Sequence, residues 1–220
     1  MKLNCSFQDI ATVLDVKSSC RNEINSVVID SRKPSRGSDV LFFALKGPNN
    51  DGHKYISELI GAGICHFVVN KDFSIDSFDA NFIAVDDTTA ALQKIAGWHR
   101  NRFSYPVLAI TGSAGKTTVK EWLYSLLKEN YNIIRSPKSY NSQVGVPLSL
   151  LEMTSSHNLA IIEAGISKPE EMERLERIIL PTYGILTNVG TSHSHNFSSK
   201  QAHAEEKYEL FKNTQWFIDG

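Results

Sequence analysis

The sequence is short of cysteine, of long apolar runs and of net charge, and each shortage excludes something. Its 3 cysteines, Cys5, Cys20 and Cys65, are odd in number and have no C-x-x-C spacing. A disulfide framework or zinc knuckle is therefore not expected, and a reducing cytoplasm is. No run approaches the roughly 18 apolar residues that cross a membrane. The first ten residues, MKLNCSFQDI, carry no apolar stretch before Cys5 and are interrupted by Asp9, so neither a lipoprotein cysteine nor a signal peptide is expected. Lys+Arg 23 against Asp+Glu 24 leaves a formal charge of -1. A chain so nearly neutral has no global field with which to grip nucleic acid or an anionic membrane. No repeat or low-complexity tract is visible. The balance of 41% apolar and 21% charged residues over 220 positions is that of a globular protein with one large or two small domains. The ending Gln215–Gly220 reads as a C-terminal edge strand or, preferably, as the start of a buried strand, Trp216-Phe217-Ile218, which suggests a piece of a longer protein.

What is present alternates between strands and helices. Apolar runs predict strands at 26–30, 40–45, 64–69 and 82–85. Tyr55, Ile56, Leu59 and Ile60 fall at helical spacing over 54–62, and Ala91, Leu92, Ile95 and Trp98 over 88–100. The stretch 101–106 reads as a linker, placing a domain boundary at 103/104. A second unit then opens with the strand Val107–Ile110, followed by a helix over about 117–129. Strands at 132–135, 159–162 and 184–187 follow, with a helix over 169–179 and another over 203–212. The expected fold class is α/β: a small N-terminal α/β domain, then part of a P-loop domain with a parallel sheet covered on both faces.

The sharpest motif is Thr111-Gly-Ser-Ala-Gly-Lys-Thr-Thr118, after a strand and at a helix start. Gly112 and Gly115 let the backbone aim its N–H groups at phosphate oxygens, and the helix N-terminus favours an anion. Gly112, Ser113, Ala114, Gly115, Lys116, Thr117 and Thr118 are thus the candidate nucleotide contacts. Lys116 would bridge the β- and γ-phosphates and Thr117 would put its hydroxyl on Mg²⁺. The longer pattern G-x-x-x-x-G-K-[ST] would need glycine where Ile110 stands, so the loop is the short form. Glu163 ends a strand at the edge where open parallel sheets bind ligands, and a carboxylate there suits Mg²⁺. Asn188 ends another. His193, His195 and His203 leave a zinc module as an alternative, weakened by the absence of cysteine among them. Lys207, beside Tyr208 and Phe211 at helical spacing, reads by itself as a surface lysine.

Several ordered segments resemble the Mur ligases, the ATP-dependent amide-forming enzymes of peptidoglycan synthesis. They are Asp30-Ser31-Arg32, Phe42–Gly47, Asp51-Gly52-His53, the phosphate loop with Lys120-Glu121, Asn141–Pro147, Glu163-Ala-Gly165, Thr187-Asn188 and His193. The match runs over nearly the whole chain. It implies residues 1–103 as a UDP-substrate-binding domain and 104–220 as part of the ATP-binding domain, with a C-terminal domain absent. Within the family, the resemblance points to the class that adds D-alanyl-D-alanine to UDP-N-acetylmuramoyl-tripeptide through an acyl phosphate. It implies ATP and two Mg²⁺ sites, held by Thr117, Glu163, His193 and Lys207. Lys207 is implied to be carbamylated, Lys116, His193 and Lys207 to be catalytic, and Asn188 to touch the nucleotide. Ser31, Arg32, Asp51, Gly52, His53 and Asn141 are implied to lie near substrate. Ser142 stands where the family often has a second asparagine, and Ala164 where it often has methionine. These variants resemble a subgroup in which the ligase is fused to an alanine racemase. A cytoplasmic monomer that binds neither nucleic acid nor membrane is expected, unable to complete ligation in these 220 residues. Alternatives are the sister ligase adding the third amino acid, a folylpolyglutamate-type ligase (disfavoured by Asp30-Ser-Arg and Asp51-Gly-His), and a non-catalytic nucleotide- or zinc-binding module.

Overall fold

A computed structural model describes residues 3–32, 37–47, 49–190 and 196–220. The chain divides into two compact units, 1–95 and 96–220.

In the first unit, β1 (Cys5–Ser6) pairs antiparallel with β2 (Glu23–Ile24). Between them lies α1 (Phe7–Val13), begun by a capping box in which the Ser6 hydroxyl accepts from Asp9 N–H and the Asp9 carboxylate accepts from Ser6 N–H. The main sheet is wholly parallel, in the order β3 (Ser26–Val28), β4 (Val40–Phe43), β5 (His66–Asn70) and β6 (Asn81–Val85). Its inner strand β4 is buried at every residue, as a parallel strand covered on both faces requires. Phe42, Phe67 and Val69 pack there with Ile56 and Leu59 of α2 (Ile56–Gly61). The helix expected from residue 54 begins as a 3₁₀ turn, Gly52–Tyr55, because the Asp51 carboxylate caps His53 N–H.

The sequence puts the division at 103/104, in the loop after α3 (Thr88–Arg100), whereas the compact units part inside that helix. The last turn of α3 is spent on the second unit. His99 Nε2 donates to the Met153 carbonyl at 3.0 Å, and Arg100 Nε to the Ile179 carbonyl at 3.0 Å. These bonds span 54 and 79 residues and leave no trace in a helical pattern.

The second unit carries a five-stranded parallel sheet. Its strands in chain order are β7 (Val107–Thr111), β8 (Ile133–Arg135), β9 (Leu159–Glu163), β10 (Tyr183–Leu186) and β11 (Trp216–Asp219). In space they run β11-β10-β7-β9-β8. From β7 the chain passes outward to β8 and back to β9 on one side, then crosses to β10 and β11 on the other. The reversal falls at β7, so its C-terminal end opens on the crevice where such sheets take ligands. The expected fold class is the observed one. Helix α4 (Lys116–Leu127) lays Val119, Leu123 and Leu127 over Ile110 and Ile161.

Two elements differ from expectation. Helix α5 (Gly145–Leu150) was not foreseen; its Gly and Pro argue against a helix, yet Pro147 sits in the first turn, where no intrahelical N–H bond is lost. Strand β11 forms as expected but is exposed, not buried: Trp216 is 75% accessible and Ile218 67%. It pairs only with β10, at the sheet edge. The chain continues through α6 (Glu171–Ile179) and α7 (Lys200–Tyr208).

Candidate active site

Because all five strands run in one direction, every strand end in the second unit delivers residues to the same edge. From β7 comes the phosphate loop. Gly112 has φ 141°, and a Cβ there would lie 2.0 Å from Thr187 Oγ1. No side chain fits, so the loop can lie against the end of β10 only with glycine at this position. Gly115, at φ 81°, then turns the chain directly into α4. The first-turn N–H groups of α4, which no helix pairs internally, stand at the loop's end.

The loop is braced from behind. Asn188 accepts from Ser113 N–H through its backbone carbonyl at 3.0 Å. Its side-chain amide matches Ala114 on both sides: Oδ1 accepts from Ala114 N–H and Nδ2 donates to the Ala114 carbonyl, each at 3.1 Å. Thr187 Oγ1 donates to the same carbonyl at 2.5 Å, and Ser113 Oγ accepts from Gly190 N–H at 2.9 Å. The sequence reading put Asn188 on the nucleotide; here its side chain grips the loop backbone.

Lys116 Nζ folds over the loop to donate to the Gly112 carbonyl at 2.6 Å. Burial pushes its pKa down, while the charge of Glu163 pulls it back up. Thr117 Oγ1 donates to Glu163 Oε2 at 3.1 Å and lies 3.3 Å from Ser139 Oγ. Glu163 is the last residue of β9 and fully buried. Its N–H donates to Ser136 Oγ at 3.0 Å, and Asn141 Nδ2 approaches Oε2 at 3.5 Å. Two hard oxygens, the Thr117 hydroxyl and Glu163 Oε2, thus meet at the floor of the crevice, a donor set that fits Mg²⁺.

Lys120, which carries part of the resemblance but was given no role by it, completes the floor. Lys120 lies one helical turn beyond Lys116, on the same face of α4. Its ammonium is fully buried, 2.9 Å from Glu163 Oε1, which is fully buried as well. The aligned hydrogen bonds of Nζ go to the carbonyls of Ser136, at 2.8 Å, and Lys138. In the sequence the i,i+4 spacing from Lys116 and the Lys120-Glu121 pair point to this lysine, but neither shows its partner Glu163.

Gly112, Ser113, Lys116, Asn141 and Lys207 line one cleft of about 360 Å³. Ser142 and Gln143, of the segment that carries the resemblance, also line it, as does Glu171, which the sequence did not single out. Ser142 Oγ accepts from Gly145 N–H at 3.1 Å, at the start of α5, and Gln143 Nε2 donates to the Glu171 carbonyl at 3.1 Å. Lys207 is no surface lysine. Burial first, and then the charge of Lys116, depress its pKa to about 8. Thr118 follows on α4 outside the cleft lining. His193 and His195 lie outside the described residues. His203 is buried against Phe197, with ring centroids 4.6 Å apart. Among the described residues no group of three His, Cys, Asp or Glu gathers for a metal. None of their helices is long and apolar enough to cross a membrane.

The first unit has its own cleft of about 580 Å³, lined by Asp30, Ser31, Arg32, Asn50, Gly52 and Tyr55 among others. Arg32 reaches Asp30 with Nε at 2.8 Å and the outer nitrogen at 2.9 Å, and its side chain is 86% exposed. That pair holds the Arg32 pKa above its usual value. Gly52 packs on Ala44, whose Cα would lie 2.9 Å from a Cβ. Asp51 and His53 do not line this cleft. His53 Nδ1 donates to Asp51 Oδ1 at 2.6 Å, and Nε2 accepts from Asn70 N–H at 3.0 Å. Partial burial raises the Asp51 pKa, but its bonds to His53 outweigh that and leave it lowered. The two residues tie the 3₁₀ turn to β5.

The Mur ligase middle domain matches residues 110–216, and the Mur ligase catalytic domain matches residues 23–100. The UDP-N-acetylmuramoyl-tripeptide–D-alanyl-D-alanine ligase of Synechocystis is 38% identical over 188 residues, covering 85% of this chain and 41% of the relative. The Bacillus subtilis protein of the same name is 32% identical over 187 residues, covering 85% and 40%. Among solved structures, MurF from Acinetobacter baumannii superposes with TM-score 0.86 at 27% identity, over 96% of this chain and 47% of that one. MurF from Thermotoga maritima in complex with ADP gives 0.77 at 30%, over 86% and 43%. The chain thus spans less than half the length of these relatives. With both domain matches in order along the sequence, and the phosphate loop, Glu163 and Lys207 at one sheet edge, this chain belongs to the Mur ligase family.

Proposed function

We propose that the chain supplies the nucleotide- and UDP-substrate-binding parts of a cytoplasmic, monomeric ATP-dependent ligase joining D-alanyl-D-alanine to UDP-N-acetylmuramoyl-tripeptide. One observation carries the reading: Lys116, Thr117, Glu163 and Lys207, from β9, α4 and α7, converge on one loop. The names of the relatives support the substrates. Residues 104–220 are assigned to ATP and 1–103 to the uridine nucleotide, with Ser31 and Arg32 in its cleft.

A carboxylate is a poor acyl donor, and transfer of the γ-phosphoryl group of ATP supplies the missing leaving group. The dipeptide amine then attacks the acyl phosphate, the C–N bond forms, the C–O bond to phosphate breaks, and the amine loses a proton. The protein's share is positioning and charge neutralisation. Lys116 meets the β- and γ-phosphates, the α4 N-terminus adds N–H donors, and Asn188 acts through Ala114 to hold the loop in register. Thr117 and Glu163 hold Mg²⁺, which when bound neutralises charge developing on the phosphates. His193 is assigned to a second Mg²⁺ with Lys207. A pKa near 8 leaves a share of Lys207 neutral at physiological pH, the form that adds CO₂ to give a carbamate and a proton.

The test is calorimetric titration of the chain with ATP and Mg²⁺, and separately with UDP-N-acetylmuramoyl-tripeptide and its dipeptide precursor. Binding of Mg²⁺-ATP and preference for the tripeptide are expected. Preference for the dipeptide would move the assignment to the sister ligase, and absence of nucleotide binding would refute it.

A further inference from the structure

Lys120 has no part in the scheme above, yet it is the most deeply buried cation of the site. A full positive charge at zero exposure is costly unless it is paired and its protons are accepted. Here the carbonyls of Ser136 and Lys138 accept its protons, while Glu163 Oε1 at 2.9 Å, which accepts no hydrogen bond, and Glu121 Oε1 at 3.2 Å pair with it by charge. The other Glu163 oxygen, Oε2, faces Thr117 and Asn141. The two oxygens of one carboxylate are thereby given different neighbours, an ammonium on one side and the hydroxyl of the phosphate loop on the other.

We infer that Lys120 is a positioning residue that claims Oε1 and leaves Glu163 a single oxygen to offer a cation, so that the site discriminates Mg²⁺ from Ca²⁺. The inference rests on the reading of Thr117 and Glu163 as Mg²⁺ ligands. Mg²⁺ is small, keeps much of its water, and takes one or two carboxylates in near-octahedral geometry. Ca²⁺ is larger and readily takes a carboxylate by both oxygens. An ammonium fixed on Oε1 suits the first cation and denies the second its preferred mode. The restraint is rigid because Lys120 is anchored independently by two carbonyls of the segment after β8. That segment also supplies Ser136 Oγ to the Glu163 N–H and Ser139 Oγ to Thr117.

The experiment is calorimetric titration of the 220-residue chain with ATP in Mg²⁺ and in Ca²⁺. The wild type is expected to bind at least about tenfold more tightly with Mg²⁺. Equal support by the two cations would overturn the inference and leave the nucleotide site standing; binding with neither would overturn that site, and the inference with it. In Lys120→Met the apolar stem is kept and Oε1 is released. The Mg²⁺-to-Ca²⁺ preference is then expected to fall to about threefold or less, chiefly through tighter binding with Ca²⁺. A purely structural lysine would weaken binding with both cations alike, and an unchanged ratio in a folded variant would refute the proposal. Circular dichroism checks folding. Should Lys120→Met not fold, Lys120→Gln keeps an amide donor for the two carbonyls while removing the charge, and the same fall in ratio is expected of it.

Discussion

Lys120 and Lys207 of the second unit are almost without solvent exposure, and each is set among other charged groups of the phosphate-loop site. Arg32 of the first unit instead projects 86% of its side chain into water beside a half-buried Asp30. The difference teaches how each region meets an anion. Around the phosphate loop, backbone and side chains are bonded in advance: Asn188 to Ala114, Thr117 to Glu163, Lys120 to Ser136. Such a site holds its charges in low dielectric, where each counts for more and each loss costs more. The first-unit cleft holds its one guanidinium by a single solvent-exposed pair with Asp30, so there affinity must come with little consequence for stability.

Removing charges in the two regions should therefore separate binding from folding. The largest effect is expected of Glu163→Ala, which strands the buried ammonium of Lys120 and should lower stability by about 3–5 kcal/mol in urea denaturation. Next is Lys116→Ala, which should weaken Mg²⁺-ATP binding by about 100-fold, the order of losing one partner of a desolvated charge contact, as read by calorimetry. Retained affinity would break the assignment of the loop. His53→Ala should cost about 1–3 kcal/mol, since Asp51 and Asn70 lose their partner, and should leave nucleotide affinity unchanged.

A smaller effect follows from Lys207. Its folded pKa of about 8 lies below its ordinary 10.5, so between those values the unfolded chain binds a proton that the folded chain does not. Stability should rise with pH across that window, and the penalty is fully present below it. In ¹³C-bicarbonate, a carbamate signal at Lys207 should grow as pH rises toward and past 8 and vanish in Lys207→Met. Smallest of all, Arg32→Ala should leave the unfolding midpoint where it was while weakening the UDP-substrate. A large midpoint shift would show that the first-unit cleft is no more tolerant than the second.

Much of the fold was legible because its signals are local. The apolar runs of β7, β9 and β10 and the helical spacing of α3 and α6 are each contained in a short window. What was misread depended on distant neighbours. Helix α5 has no clear helical spacing of its own, and its residues are buried by neighbours that a short window does not contain. Strand β11 looked buried because its residues are apolar, but edge position decides exposure. The bonds from His99 and Arg100 to residues far ahead in sequence were equally invisible in the helical pattern of α3.

The site shows the same division. The spacing of Gly112, Gly115, Lys116 and Thr117 was visible by itself, because a phosphate loop is contiguous and its glycines answer to backbone geometry alone. Glu163 could be guessed from its strand end. The sequence could not distinguish Asn188 touching a ligand from Asn188 gripping Ala114, nor show that His53 is spent on Asp51 and Asn70. Nor could it show that Lys120, beside Glu121, is buried against Glu163. Local pattern determined which residues make strands, helices and the loop. Only the tertiary structure decided which charges are buried together, because burial and pairing depend on segments that lie dozens of residues apart along the chain and meet at a single sheet edge.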